Sequence, residues 1–340
     1  MTGTHFEAEI REQPHVWRGI ARSGEATRLA RAIAGRDVVL LGSGSSLFAA
    51  QLGAFALRRR GFRARALAAT EAPLEAAAYA GAAIVACSQS GESDDLLHAL
   101  DALAPALLIA LTNGRDSTLA RRADAVVDVA AGIERAVPAS KSVTATAAIL
   151  LWAADALAAH TGDRAAALHA IADEVERWLE GDGLAGVGER AAHIVRQRSV
   201  IVVGAGYGLP IAREAALKLK EASYVAAEGF AAGEFLHGSA AILDRSCAIV
   251  GIVDALSRSI VARPLRAARA AGSSAYVVGD PLDEFALLGP RGDGAFGALS
   301  RLVAVQAIAL CAGRARAVDS DAPRGQSKVL LDERVEPNRT

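Results

Sequence analysis

The chain has 340 residues and weighs only 34.9 kDa, so small side chains dominate it. Hydrophobic residues make up 52% and charged ones 22%, which excludes a disordered chain and supplies core for about two domains. Thirty-seven basic against 38 acidic side chains leave −1, and no overall charge attracts nucleic acid or an anionic membrane.

Residues 1–35 are polar and periodic and predict a helical segment. They lack the apolar run of a secretory signal, so a cytoplasmic location is expected. Residues 37–41 form a short apolar run leading into Gly42-Ser43-Gly44-Ser45-Ser46, with a helix pattern over 47–57. The same strand–loop–helix order recurs at 82–87, 88–93 and from 94 onward, where Pro105 ends the helix pattern. Strands are predicted at 106–111 and 125–129, and a helix at 143–159. That last stretch is the nearest thing to a membrane span, but Thr144, Thr146 and Asp155 interrupt it and favour a buried helix. A Gly/Asp cluster at 180–183 marks a domain boundary.

The second half echoes the first. A strand at 199–203 runs into Gly204-Ala205-Gly206, 247–253 echoes 82–87, and 274–278 echoes 106–111. The fold class is therefore α/β, with two tandem doubly wound, flavodoxin-like parallel-sheet domains. The expected division is 1–35, 36–180, 181–317 and a polar tail over 318–340 that crosses the surface.

The loop Ser88-Gln89-Ser90-Gly91-Glu92-Ser93 carries three hydroxyls between a strand and a helix start. One serine there would serve as a cap or an ST-turn. Three, with Ser45 and Ser46 on the neighbouring loop, favour an anion site at helix N-termini. Neither Gly42-x-Gly44 nor Gly204-x-Gly206 completes a dinucleotide fingerprint, and no cofactor is expected. Cys87, Cys247 and Cys311 have no zinc or disulfide spacing, so neither a metal nor an oxidising compartment is expected.

Lysine is scarce: Lys141, Lys218, Lys220 and Lys328 stand against 33 arginines. Those four mark either ordinary surface charge or places that need a deprotonatable amine. Glu214, Lys218 and Glu221 share one helix face, as a salt-bridged stripe or as a general base with its partner. His237 follows in a segment with few charges and is the other proton-transfer candidate.

Taken together these segments resemble the sugar isomerase (SIS) family. The likeness is nearest to the isomerase part of glutamine–fructose-6-phosphate aminotransferase and to SIS-type glucosamine-6-phosphate deaminase. The matching pieces are residues 9–14, the 88–93 loop with Ser45 and Ser46, 132–134 with 137–141, 217–221, 227–228, 234–238 and 323–328. The resemblance implies that Ser88, Gln89, Ser90 and Ser93 hold a sugar phosphate, with Val137 and Ala139 in the segment that closes over the sugar. It implies that Glu221 moves a proton between C1 and C2, and that Lys328, with Lys218, supports the carbonyl or imine. It also implies a homodimer in which His237 assists ring opening from the neighbouring subunit.

Two departures shape the expectation. No glutaminase segment precedes these residues in the sequence, which favours the deaminating direction: hexosamine 6-phosphate to ketohexose 6-phosphate and ammonia. Ala139 stands where the family's synthase has a serine, so selectivity is sought in residues 126–142. The competing readings are a deglycase of phosphorylated fructosamines and a non-catalytic sugar-phosphate sensor. A nicotinamide enzyme is not expected.

Overall fold

The computed structural model describes residues 2–158 and 162–328. The first half runs α1 (Thr4–Ser23), α2 (Glu25–Ile33), β1 (Val38–Gly42), α3 (Gly44–Arg59) and β2 (Ala64–Ala68). After a 3-10 stretch at Ala72–Tyr79 come β3 (Ala83–Ser88), α4 (Asp94–Leu103), β4 (Leu107–Thr112), α5 (Thr118–Arg122), β5 (Ala125–Asp128) and α6 (Lys141–Leu157). The helices α7 (Arg164–Glu180) and α8 (Gly183–Ile194) lead into the second half. It consists of β6 (Ser199–Gly204), α9 (Gly208–Ser223), β7 (Ala227–Ala231), α10 (Ala232–Phe235), β8 (Cys247–Val253), α11 (Arg258–Ala270), β9 (Ser274–Gly279), β10 (Ala286–Leu287) and α12 (Gly297–Ala315).

Each half contributes one five-stranded parallel sheet, ordered β2-β1-β3-β4-β5 and β10-β9-β8-β6-β7. The second order is the first one read backwards, so both halves are wound alike, as expected from the sequence. β1, β3 and β8 are buried along their whole length, which is why they appear as unbroken apolar runs. The sequence reading missed β2, β7 and β10. β2 and β7 are half-covered strands at the sheet edges, carrying Arg65 and Glu228 among alanines and glycine.

A single apolar cluster joins the facing sides of the two sheets through α3, α6, α9 and α12. Alanine and glycine let these helices approach closely: a Cβ on Gly53 would lie 2.8 Å from Leu150. Residues 143–157 are therefore core helix, as expected. Among the described residues α12 is the one helix long and apolar enough to cross a membrane, and nearly all of it is buried within the fold. The Gly/Asp break at 181–182 separates α7, which packs on α1, from α8, which packs on α12.

The segment that follows α12 meets the start of α1. The Asp321 carboxylate accepts from the main-chain nitrogens of Phe6 at 2.7 Å and His5 at 3.0 Å, and so caps α1. The tail is not purely superficial as predicted, because Ser320 and Pro323 are buried. Residues 329–340 of the expected tail lie outside the described residues.

Candidate active site

The carboxyl ends of β1 and β3 bring two serine loops together, each at the start of a helix. The α3 loop gives Ser43, Ser45 and Ser46, and the α4 loop gives Ser88, Gln89, Ser90 and Ser93. They line a cavity of about 210 Å³ together with Glu134, Val137, Ala139, Lys218, Glu221, Gln326, Ser327 and Lys328. Every predicted site residue except His237 is thus in one cavity.

The 88–93 loop is built locally. Ser88 Oγ accepts from Gly91 N at 3.0 Å and Ser90 Oγ accepts from Glu92 N at 3.1 Å. The ST-turn reading therefore holds, and the loop still lines the cavity. Gly91 has φ +68°, and a Cβ there would fall 2.1 Å from Ser117 Oγ, so only glycine permits this turn. Ser93 stands at the N-cap of α4, yet its side chain makes no capping bond and stays available to a ligand. The cavity lies at the N-terminal ends of α3 and α4, where a helix favours an anion.

The opposite wall carries the charges. Lys218 is fully buried on α9; its Nζ donates to Glu221 Oε2 at 2.6 Å and lies 3.5 Å from Glu214 Oε1. Burial pushes the Lys218 amine down, but the two carboxylates more than offset it and hold it above its ordinary value. Glu214 is fully buried, with neither oxygen in a hydrogen bond of good geometry among the described residues. Burial, reinforced by Glu221 and opposed by Lys218, pushes its carboxyl up to about 7. Spacing alone placed Glu214, Lys218 and Glu221 on one face. It did not reveal that the face is buried.

The tail supplies the second cation. Lys328 Nζ donates to Glu134 Oε2 at 2.8 Å and to the carbonyl of Ala136 at 2.6 Å. Glu134 also accepts from Ser142 Oγ at 2.7 Å and from the main-chain nitrogens of Ser140 and Ser142 at 3.0 Å. Burial raises its carboxyl, but Lys328 and the Ser142 bonds win and hold it below the usual range. Sequence reasoning quoted Glu134 within a segment without giving it a role. Its signal is a lone carboxylate in a segment predicted to close over the sugar.

The four lysines divide. Lys218 and Lys328 line the cavity. Lys141 is buried outside it and pairs with Glu12 of α1. Lys220 lines an adjoining cavity of about 290 Å³ with Glu221, Tyr224, Arg324 and Gln326. His237 is exposed, between α10 and a 3-10 turn at Ser239–Ile242, and lies outside the pocket of its own chain. Among the described residues no group of His, Cys, Asp and Glu is arranged to hold a metal ion.

Three comparisons bear on this arrangement. The SIS domain model matches residues 34–156 and 193–277. A glutamine–fructose-6-phosphate aminotransferase (isomerizing) of Treponema pallidum is 36% identical over 240 residues, covering 66% of this chain and 38% of that protein. The chain thus spans well under half the length of that relative. Among solved structures, the C-terminal domain of glucosamine-fructose-6-phosphate aminotransferase from Francisella tularensis superposes with a TM-score of 0.82 at 22% identity, over 94% of this chain and 98% of that one. Glucosamine-6-phosphate deaminase from Thermotoga maritima does so with a TM-score of 0.79 at 18% identity, over 96% and 99%. At these identities the likeness is one of fold.

Proposed function

The chain belongs to the SIS domain family, and from that membership and the chemistry of the pocket we propose that it is a phosphosugar isomerase of the deaminating kind. It converts a hexosamine 6-phosphate and water to a ketohexose 6-phosphate and ammonia. The observation that carries this reading is Glu221: a partly exposed carboxylate held by Lys218 at 2.6 Å in the same cavity as two serine loops.

The serine loops and the starts of α3 and α4 take the phosphate and leave C1 and C2 of the open-chain sugar toward Glu221. Glu221 removes the C2 proton beside the C1 carbonyl, and the electron pair moves onto the carbonyl oxygen as an enolamine forms. Lys218, kept protonated by its two carboxylates, neutralises charge at Glu221 and on the enolate oxygen. Return of the proton to C1 leaves an imine at C2. Water adds to C2 and ammonia leaves, with the Lys328 ammonium hydrogen-bonded to the nitrogen or oxygen at that carbon.

In this reading His237 assists ring opening from a second copy of the chain, which makes the working unit a homodimer. Its exposure outside its own pocket supports that arrangement. The three cysteines, free and buried, accord with a cytoplasmic enzyme. The test is ammonia release from glucosamine 6-phosphate and galactosamine 6-phosphate by wild type and Glu221→Gln. Release by the wild type alone supports the reading.

One observation favours a second substrate class. The adjoining cavity shares Glu221 and Gln326 with the catalytic pocket and is lined by Lys220 and Arg324, which make no ion pair among the described residues. The Arg324 guanidinium stacks on Tyr224 at 4.3 Å. An amine substituent carrying a carboxylate would fit there, as in a phosphorylated fructosamine of an amino acid. Preferential turnover of such an adduct over the free hexosamine phosphates would select the deglycase.

A further inference from the structure

The second sheet has a crevice of its own. At the carboxyl ends of β6, β8 and β9, where the first sheet holds the catalytic pocket, lies a cavity of about 280 Å³. Tyr207, Asp254, Asp280 and Arg301 line it, and Arg59 and Arg60 enter from the end of α3 in the first half. The loop after β8 begins with Asp254-Ala255-Leu256 where the loop after β3 has its serines. Such a lining repels a bare phosphate at the position where the first sheet binds one.

Most of these charges are already satisfied. Arg301, 3% exposed, donates through Nε to the carbonyl of Val253 and through a terminal nitrogen to Asp280, both at 2.8 Å. Arg60 pairs with Asp155 at 2.6 Å. Besides Asp293, an exposed carboxylate that also lines the crevice, two groups are left over. Asp254 is 8% exposed; one of its oxygens accepts from Ser257 N at 2.8 Å, and the other accepts nothing from the described residues. Arg59 makes no ion pair or side-chain hydrogen bond among them. The Asp254 oxygen without a protein donor lines the crevice, where a ligand's N–H can reach it.

We propose that this crevice is a second ligand site, which takes a small zwitterion with its ammonium on Asp254 and its anionic group on Arg59. Amino-sugar phosphates and α-amino acids both have this chemistry. The site does not depend on the catalytic reading, but its position links it to the catalytic pocket. α3 runs from the Ser45–Ser46 turn to Arg59, and α9 runs from Tyr207 at its cap to Lys218 and Glu221. The two helices touch where Phe55 meets Tyr207 edge-on at 4.7 Å.

The test is calorimetric titration in a Glu221→Gln background, where nothing is consumed. The probes are glucosamine 6-phosphate, L-serine and N-acetylglucosamine 6-phosphate. The proposal predicts that at least one of the two zwitterions fills one site per chain outside the catalytic pocket, and that the N-acetyl compound, lacking the ammonium, does not. Adding Arg59→Glu or Asp254→Asn weakens that site tenfold or more and leaves binding in the catalytic pocket intact. The first variant changes an exposed helix end. The second keeps an acceptor for Ser257 N. Which zwitterion binds identifies the source of the ligand. No site beyond the catalytic pocket, or an extra site indifferent to both substitutions, overturns the proposal. Loss of all sugar-phosphate binding would instead count against the proposed function.

Discussion

Lys328 of the tail and Glu134 of the segment before α6 meet at 2.8 Å, although 194 residues separate them in the chain. The pair closes one wall of the cavity, and the pairing of Lys218 with Glu221 at 2.6 Å forms the wall beside it. Each ammonium is fixed by a carboxylate, so neither cation of the cavity is free to wander.

Glu134 makes stability depend on pH. Its folded carboxyl lies below the unfolded value of 4.5, so its contribution is present above pH 4.5 and is lost as pH falls through the folded value. Lys328→Met leaves the buried carboxylate with its serine partners only. The variant is expected to be less stable than wild type at pH 7 by on the order of 1–3 kcal/mol, with the gap narrowing below pH 4. Denaturant midpoints at the two pH values check this, and equal midpoints at pH 7 would refute it.

Glu214 has the opposite sign. Its folded carboxyl is pushed up to about 7, above the unfolded 4.5, so ionising it costs stability as pH rises from 4.5 to 7. Glu214→Gln removes that cost. The variant is expected to gain on wild type above pH 7, by at most about 3 kcal/mol, and to match it near pH 4.5. Thermal melts across that range decide the matter. A variant destabilised at pH 8 would show that Glu214 supports the fold as an anion.

Ser93 separates binding from folding, because its hydroxyl makes no capping bond. Ser93→Ala is expected to leave the melting temperature within a degree or two. It should raise KM for the sugar phosphate about tenfold, the size of one hydrogen bond to a charged group, with kcat little changed. An unchanged KM would remove Ser93 from the phosphate site.

Gly91→Ala should affect folding and binding together. The added Cβ clashes with Ser117 Oγ at a φ of +68°, so the loop must rearrange. A loss of about 1–3 kcal/mol and of sugar-phosphate binding is expected. Wild-type binding in this variant would show that the loop's turn does not shape the site.

Much of this was legible in the sequence. β1, β3 and β8 are apolar along their whole length because helices cover both faces, and the serine loops follow two of them directly. The half-covered β2 and β7 were not legible, since Arg65 and Glu228 erase the apolar run. Scarce lysine pointed to Lys218 and Lys328 in the cavity, but it also pointed to Lys141, which pairs with Glu12 elsewhere. The partner of Lys328 could not be read, because only the fold brings residues 134 and 328 together. Nor could the state of Glu214, since spacing gives a face and not its burial.

The central claim is that Glu221 transfers a proton between C1 and C2 of a phosphorylated amino sugar. The most direct measurement follows ammonia release and solvent deuterium uptake at C1 from glucosamine 6-phosphate and galactosamine 6-phosphate in heavy water. Ammonia with deuterium at C1 is the predicted result for wild type, and both signals fall by at least about a hundredfold in a folded Glu221→Gln protein. Wild-type protein that binds these sugars yet gives neither signal, or a Glu221→Gln protein as active as wild type, would contradict it.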